Sequence, residues 1–460
     1  MTIWLDVEDL IRFFQSASRP TGIQRFSFET CGAALRLAGP HGEVGFCRRT
    51  ASGQFRRVHF PALESGIRAL AERAPAASAP PRHKARPWSG VARHVAPRYR
   101  LPLGAMLRAG GAGLRSTRDL ARTALSDLAR TRPGAARLGG HVFDTNGPAI
   151  EFGPGDWLLN LGASWERPYD PAFLDSLAQR GAGLAFLAHD MIPDLFPEWC
   201  TASMVRDFDL WLDIAVPRAD LMFAVSQNTA QDLAASLARR GKHVPPCVVL
   251  PAGGAMCQAR SFLPPLLRGP YVLMVGTIEA RKNHTGMLRV WRRLLATCPP
   301  DLVPTLVFAG KVGWLTADLM QQLANANYLN GKIRFIDQPS DTDLASLYQH
   351  CLFTLFPSLY EGWGLPVTES LCFGKPVAAS MRASIPEAGG AFCGYFDPDD
   401  LNSAYELIRG WIENPTPVAA LSARIATGFT PPAWADTAAA LLAPFLGADE
   451  PAIRLSPAYT

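Results

Sequence analysis

Two carboxylates in one short segment have the types and spacing to do chemistry together. Glu361 and Glu369 lie in PSLYEGWGLPVTE, residues 357–369, with Gly362 and Gly364 between them, and the apolar run LFTLF comes directly before. That order predicts a buried strand, a glycine-rich turn and a helix. In open parallel sheets such a junction faces a crevice where backbone N–H groups and the helix N-terminus bind anions. A nucleotide sugar would fit both carboxylates; two solvated surface glutamates are the alternative.

A second set of polar residues lies at another predicted strand–helix junction. Arg281 and Lys282 stand at the turn of VGTIEARKNH, residues 275–284, and Asn283 is the predicted helix cap. Two cations at a helix N-terminus form an anion site, and a diphosphate is the expected guest. A solvated Arg-Lys pair is the alternative interpretation.

The first half of the chain contributes further candidates. His189 follows the apolar run of FLAHDMIPDLFPE, so it is predicted at the carboxyl end of a strand. Gly22, in RPTGIQRF, precedes a helical pattern, and its missing side chain lets a ligand approach the backbone. SWERPYD, residues 164–170, follows another predicted strand, and both an acceptor contact and a plain loop are open for it. Because a single histidine is usually a structural residue, the position of His189 alone does not show that it is functional.

These segments resemble the signature segments of the family-4 retaining glycosyltransferases, which have the GT-B fold. The resemblance is carried by SLYEGWGLPVTESLCFGKPV, GTIEARKN, RPTGIQRF and the H-D-x-x-P order after the His189 strand. It implies that Glu361 and His189 are catalytic residues beside the transferred sugar and that Glu369 binds the ribose. It also implies a set of further donor-binding residues: Gly22, Arg281, Lys282, Gly362, Gly364 and Leu365. Many relatives have an Arg where this chain has Ile278, which leaves open whether Arg281 or Lys282 makes the main phosphate contact.

Strands that alternate with helices of 10–15 residues predict parallel sheets in both halves of the chain. The first series runs from IWLDV to CVVL, and the second from YVLMVGT to KPVAAS. We therefore predict an α/β protein with two Rossmann-like domains whose parallel sheets face a cleft. The predicted units are an acceptor-side domain, 1–264, a nucleotide-sugar domain, 265–430, and a C-terminal helix and tail, 431–460. By resemblance, that helix crosses back to the N-terminal domain.

Residues 66–140 form a basic Ala/Arg/Pro-rich insert in this scheme. They contain 15 Lys or Arg and three acids, a net charge of +12, whereas the whole chain carries +5, so the remainder carries −7. Leucines recur among arginines at near-helical spacing in 114–130, which is typical of a basic amphipathic helix on an anionic membrane surface. A plain insert is the alternative. Nucleic acid is disfavoured because no aromatic residues are paired with these arginines.

Composition also bears on the compartment. Nine scattered cysteines without a C-x2-C pair indicate free thiols in a reducing environment. The opening MTIWLDVEDL has acids where a signal peptide needs basic residues, and no apolar stretch reaches the ~18 residues of a membrane span. We expect a cytoplasmic protein, peripheral at the inner face of the membrane if the basic arm engages lipid.

Together these features predict a retaining, metal-independent glycosyltransferase without a cofactor. It would move a hexose from a nucleotide-diphosphate sugar to a lipid-linked or polysaccharide acceptor in bacterial surface-glycan biosynthesis, and the family resemblance favours GDP-mannose as donor. No D-x-D sequence stands in a metal-ligand setting. Two rivals stay open: a nucleotide-sugar epimerase of the same fold, and a non-catalytic nucleotide-sugar-binding component of a polysaccharide assembly complex.

Overall fold

The structure, a computed structural model, describes residues 1–20, 22–38, 44–73, 135–138, 141–144, 147–254 and 262–445. Its strands, β1 to β15 in chain order, are Ile3–Asp6, Val44–Arg49, Phe55–Arg57, Ala135–Leu138, His141–Asp144, Trp157–Asn160, Gly183–Ala188, Leu221–Ala224, Cys247–Val249, Tyr271–Val275, Thr305–Gly310, Ile333–Asp337, Thr354–Phe356, Val377–Ser380 and Cys393–Phe396. Its principal helices are Glu8–Phe13, Gly22–Ala38, Phe60–Arg73, Pro171–Gln179, Ile192–Leu195, Ala202–Leu210, Gln227–Arg239, His284–Thr297, Ala317–Asn325, Asp341–His350, Leu365–Cys372, Ile385–Gly389, Leu401–Glu413, Thr416–Gly428 and Trp434–Leu442.

Two parallel sheets organise the described residues. The first has the order β3-β2-β1-β6-β7-β8-β9, and only β3 runs antiparallel to its neighbour. The second has the order β12-β11-β10-β13-β14-β15, and every pairing in it is parallel. Parallel strands place all their carboxyl ends at one edge, where ligands of open α/β sheets bind. The two predicted α/β series are therefore confirmed.

Each sheet is covered by helices because its strands are apolar on both faces. In the second sheet, Phe308 is fully buried and shares a core with Trp291 of the helix His284–Thr297, whereas Leu273 is fully buried in a separate core. The linker residues Leu263 and Leu267 pack against this second unit. The boundaries at 264 and 430 stay predictions.

The last described helix, Trp434–Leu442, returns to the first unit. Its residues Ala438 and Leu441 are fully buried in the core of the first sheet, and Thr437 Oγ1 donates a hydrogen bond to the Pro251 carbonyl at 2.6 Å. A Cβ on Gly253 would lie 2.4 Å from the Trp434 ring, so glycine is needed where the helix crosses. The predicted crossing helix is confirmed.

The predicted insert begins later than expected. Residues 66–73 complete the helix Phe60–Arg73, and Ile67 is buried in the first core. Residues 135–138 and 141–144 pair as an antiparallel hairpin. The predicted amphipathic arm, 114–130, lies outside the described residues. Among the helices that are described, each is too short or too polar to cross a lipid bilayer.

Candidate active site

Glu361 forms the centre of a buried ion cluster. Its Oε2 lies 2.6 Å from Arg281 Nη1, and its Oε1 lies 2.5 Å from Lys282 Nζ. Burial acts to raise the pKa of Glu361, but Arg281 and Lys282 outweigh it and lower the pKa to about 2. The carboxylate is therefore ionised at neutral pH, and the two predicted phosphate-binding cations are paired with it.

The local sequence explains how these cations reach Glu361. After β10 the chain makes a short turn of 3-10 helix at Ala280–Lys282, and Asn283 then adopts a left-handed conformation, with φ of 59°. The Asn283 side chain accepts a hydrogen bond from Gly286 N at 3.1 Å, so the predicted helix cap is confirmed. Ile278, where many relatives have an Arg, is fully buried in the second core and takes no part in the site.

The pKa values of the two cations shift in opposite directions. Burial lowers the pKa of Lys282, and the attraction of Glu361 opposes that shift. For Arg281, burial acts in the same direction, but Glu361, Glu279 and Asp190 raise its pKa above the ordinary value. Arg281 is thus the permanently charged member, and Lys282 depends on an anionic neighbour.

Gly362 and Gly364 have separate structural reasons to be glycine. A Cβ on Gly362 would lie 1.7 Å from the His189 carbonyl oxygen, so this loop touches the first unit backbone to backbone. Gly364 has a φ of 112°, in the left-handed region that favours glycine, and it precedes the helix Leu365–Cys372. No side chain in the described structure caps that helix. Pro366 has no N–H and Val367 N already donates to the Gly364 carbonyl at 2.9 Å, so Leu365 is the first-turn residue left to offer an N–H to an anion.

His189 lies on the opposite side of this contact, at the end of β7. Its Nε2 is 2.8 Å from the Leu161 carbonyl oxygen, which only accepts, so Nε2 carries the hydrogen and Nδ1 is the acceptor. Burial lowers the pKa of His189 to about 4. The ring is therefore neutral at pH 7, and suited to accept a hydrogen bond from a hydroxyl rather than to carry charge.

Glu369 occupies a second polar centre of the cleft. Its Oε2 accepts a hydrogen bond from the Tyr348 hydroxyl at 3.0 Å. Arg25 of the first unit pairs with Asp341 at 2.9 Å and also attracts the Glu369 carboxylate. Burial nevertheless raises the pKa of Glu369 above its ordinary value. Gly22 starts the helix that carries Arg25, and a Cβ there would meet nothing within 4 Å.

The structure thus brings the predicted residues to one cleft in two groups. Glu361, Arg281, Lys282 and Gly362 face His189, while Glu369 faces the helix that begins at Gly22. Leu365 is half-buried and packs against the first core.

Sequence reasoning missed Tyr348 and Glu279. Tyr348 looks like an ordinary core residue of its helix, and no spacing signal points to its hydroxyl. Glu279 stands inside the quoted GTIEARKN segment, and its Oε2 lies 3.2 Å from Arg281 Nε. The charge pattern of that turn was a signal that would have found it. In the described ranges, no group of three His, Cys, Asp or Glu side chains is placed to hold a metal ion.

Comparison with known proteins finds similarity to glycosyltransferases. The family profile described as glycosyl transferases group 1 matches residues 260–426. A serotype-specific mannosyltransferase WbdA of Escherichia coli is 30% identical over 254 residues, which are 52% of this chain and 31% of that protein. The O-antigen chain mannosyltransferase B of Escherichia coli is 35% identical over 133 residues, 29% of this chain and 34% of that protein. The chain therefore spans about a third of the length of these relatives.

Among solved structures, the OtsA apo structure aligns with a TM-score of 0.50 at 16% identity, covering 64% of this chain and 73% of that one. At this identity the likeness shows the fold alone. Together with the two parallel sheets and the crossing helix, it confirms the GT-B fold class expected from the sequence.

Proposed function

We propose that this protein is a retaining, metal-independent glycosyltransferase that uses a nucleotide-diphosphate sugar. The observation that carries the proposal is the cluster of Glu361, Arg281 and Lys282 beside an uncapped helix N-terminus, in backbone contact with the His189 loop of the opposite unit. The group 1 profile over the same part of the chain supports it.

Each residue has a role that its geometry allows. Arg281, Lys282 and the Leu365 N–H at the start of the helix Leu365–Cys372 would hold the diphosphate and stabilise the charge that develops as it leaves. Glu369 would accept hydrogen bonds from the ribose. His189 would accept a hydrogen bond from a sugar hydroxyl through Nδ1, and its ring would support developing positive charge on the sugar. Diphosphate departure and acceptor attack would occur on one face of the sugar, without a covalent enzyme nucleophile and without a cofactor.

The names of the relatives support a choice of substrates. Both relatives are mannosyltransferases, and one is named for the O-antigen chain, so we favour a mannose donor such as GDP-mannose and a lipid-linked or polysaccharide acceptor of a bacterial surface glycan. The basic segment would hold the protein at the inner face of the membrane. Sedimentation with anionic and neutral vesicles tests this, using the intact chain and a variant in which a Gly/Ser linker replaces 74–134.

A thermal-shift panel of nucleotide sugars, followed by transfer assays, tests the activity. A donor that binds the folded state raises the Tm by mass action. Glu369→Ala should weaken binding of the matching nucleoside diphosphate about tenfold or more, because a hydrogen bond to a charged group is lost.

The same experiments separate the rivals. An epimer formed from the donor alone would indicate an epimerase, and donor binding without turnover would indicate a non-catalytic component. EDTA should leave transfer intact; a strict metal requirement would contradict the metal-free mechanism.

A further inference from the structure

The backbone carbonyl that holds His189 also holds a second side chain. Leu161 lies directly after β6, and its carbonyl oxygen accepts the hydrogen bond from His189 Nε2 at 2.8 Å. The Ser27 hydroxyl donates to the same oxygen at 2.6 Å. A carbonyl oxygen has two lone pairs, so these two donors occupy both of its acceptor positions. Ser27 and His189 are therefore joined through one backbone atom.

Ser27 is an unusual residue for its place in the chain. It lies inside the helix Gly22–Ala38 and is only 2% exposed. Serine hydroxyls inside helices usually point to solvent or bond to the preceding turn, and serine is a weaker helix former than alanine. The hydroxyl of Ser27 instead bonds to a residue 134 positions away. Neither helix propensity nor burial favours a serine here, so its contact with Leu161 is the feature that accounts for it.

Aromatic rings enclose the His189 ring from two sides. Phe26, which precedes Ser27 in the helix, packs edge-to-face on it, with ring centroids 5.9 Å apart and an interplanar angle of 87°. The Trp165 ring lies 6.4 Å away at 73°. Trp434 of the crossing helix packs in turn on Phe26 at 5.5 Å. These rings limit rotation of the imidazole, whereas the backbone carbonyl determines which of its nitrogens carries the hydrogen.

The helix start that carries Ser27 is anchored in both units. Gln24 Nε2 donates to Asp9 Oδ2 of the first unit at 3.3 Å. Arg25 pairs with Asp341 of the second unit at 2.9 Å. The position of this helix turn is thus fixed by contacts that do not involve the imidazole. A donor in the turn can therefore hold the loop carbonyl in place.

The tautomer of His189 decides which of its nitrogens can accept a hydrogen bond. Burial lowers the pKa of His189 to about 4, so at pH 7 one nitrogen carries a hydrogen and the other accepts. The hydrogen bond that one ring nitrogen makes sets the tautomer, and a carbonyl partner requires the hydrogen on Nε2. We infer that Ser27 is a positioning residue for glycosyl transfer. Its hydroxyl fixes the Leu161 carbonyl, which holds His189 in the Nε2–H tautomer and leaves Nδ1 to accept from a sugar hydroxyl. This rests on the proposed function and adds to it a residue that acts through His189 rather than on the donor.

NMR of the ligand-free protein tests the positioning directly. The full chain is prepared with isotope-labelled histidine, and the His189 signals are assigned by their loss in His189→Gln. At pH 7 the parent should show the Nε2–H tautomer. Ser27→Ala should speed exchange of the Nε2 hydrogen with water about 2- to 10-fold and should add a detectable share of the Nδ1–H tautomer, because the carbonyl loses one hydrogen bond. Alanine favours helix, so the variant should keep its fold, which a thermal melt checks.

Transfer kinetics test the consequence for the reaction. With the donor found in the thermal-shift panel, Ser27→Ala should lower kcat about 2- to 10-fold. The KM for the donor and the Kd of the matching nucleoside diphosphate should stay unchanged, because Arg281, Lys282 and Glu369 belong to the second unit. A general loss of structure would instead change binding and turnover together.

Ser236→Ala is the matched control. Ser236 is a fully buried serine inside the first-unit helix Gln227–Arg239, and its hydroxyl donates to Asp194 Oδ2 at 2.7 Å. This variant also loses one buried hydroxyl bond, but it should leave the His189 signals and kcat as in the parent. The inference is overturned if Ser27→Ala behaves like this control in the NMR measurement or in kcat, or if its donor affinity falls as much as its kcat.

The two measurements separate this inference from the proposed function. If the parent turns over no nucleotide sugar, the proposed function fails, whereas a change of the His189 signals in Ser27→Ala would still show that the hydroxyl holds the ring. If transfer occurs and Ser27→Ala matches the control, the positioning role fails and the proposed function stands.

Discussion

At the scale of single residues, Glu361 neutralises the cations that are expected to bind phosphate. Arg281 and Lys282 each contact one of its oxygens, so an incoming diphosphate competes with a carboxylate that is already in place. Such an arrangement keeps both cations paired within the protein itself, because unpaired buried charges are costly. It also holds both cations in position for the leaving group. The diphosphate would then either displace the Glu361 carboxylate from these cations or share them with it.

Glu361→Gln tests this competition. Removing one partner of a buried pair destabilises a protein by about 3–5 kcal/mol, so the Tm of the ligand-free variant should fall. The matching nucleoside diphosphate should bind at least as tightly as before, and should raise the Tm of the variant more than that of the parent. Turnover should fall about 100-fold or more, as for the loss of a preorganised group in a reaction site. Calorimetric titration, thermal shift and transfer assays measure these effects. A parallel loss of nucleoside diphosphate affinity would show that Glu361 helps to bind phosphate.

At the scale of elements, the loop between β13 and the helix Leu365–Cys372 connects the two units. Thr229 donates to the Gly362 carbonyl at 3.3 Å, and Ser384 donates to the Glu361 carbonyl at 2.8 Å. The loop is therefore fixed from both sides, with the His189 carbonyl packed directly on Gly362. The position of the loop thus depends on the contact between the two units.

Gly362→Ala should disturb that coupling. The added methyl would overlap a backbone oxygen that no rotamer change can move, and overpacking costs about 1–3 kcal/mol. We expect a lower Tm and a turnover loss greater than the loss of nucleoside diphosphate affinity, because the second unit keeps its own phosphate-binding groups. Gly410→Ala is the matched control, since a Cβ there meets nothing within 4 Å inside the helix Leu401–Glu413. It should leave activity unchanged and keep or raise the Tm. Equal behaviour of the two variants would refute the role of the contact.

The sequence predicted the elements better than the contacts between them. Alternation of strand-like and helical segments predicted the two parallel α/β series that the structure contains. Composition misled at 66–73, where Arg and Ala were assigned to an insert although the apolar periodicity of the helix Phe60–Arg73 continues through them. The pairing of Lys282 with Glu361 joins residues 79 positions apart, and the Tyr348–Glu369 bond depends on how two helices pack. Neither leaves a local signal in the chain.

At the scale of the whole molecule, several contacts join the two units around the cleft. Both carboxylate oxygens of Glu387 accept hydrogen bonds from Gln227 N and Asn228 N at the start of a first-unit helix, at 2.8 and 2.9 Å. Trp314 Nε1 donates to the Trp199 carbonyl at 2.8 Å. Together with the Arg25–Asp341 pair, these contacts join the two units at more than one edge of the cleft. Protonation of the buried titratable groups therefore affects the free energy of unfolding of the whole protein.

Acid should weaken the fold through its buried histidines. Burial lowers the pKa of His284 from 6.5 to about 3, with a further contribution from Lys282, so the folded state binds fewer protons than the unfolded state below pH 6.5. The stability that comes from keeping this ring neutral is complete above pH 6.5 and is lost as the pH falls toward 3, at about 1.4 kcal/mol per pH unit. His189, with its pKa lowered to about 4, acts in the same direction. Carboxylates with raised pKa values, such as Asp6 and Asp190, act in the opposite direction.

Replacing one histidine separates its contribution to the pH dependence of stability from the opposing contribution of the carboxylates. His284→Leu removes the titrating ring, so the unfolding free energy of the variant relative to the parent should be constant above pH 6.5 and should rise as the pH falls below it. Urea unfolding at a series of pH values measures the difference. His243→Asn, which replaces an exposed histidine, is the matched control. A pH-independent difference for His284→Leu would mean that the buried ring does not resist protonation in the folded protein.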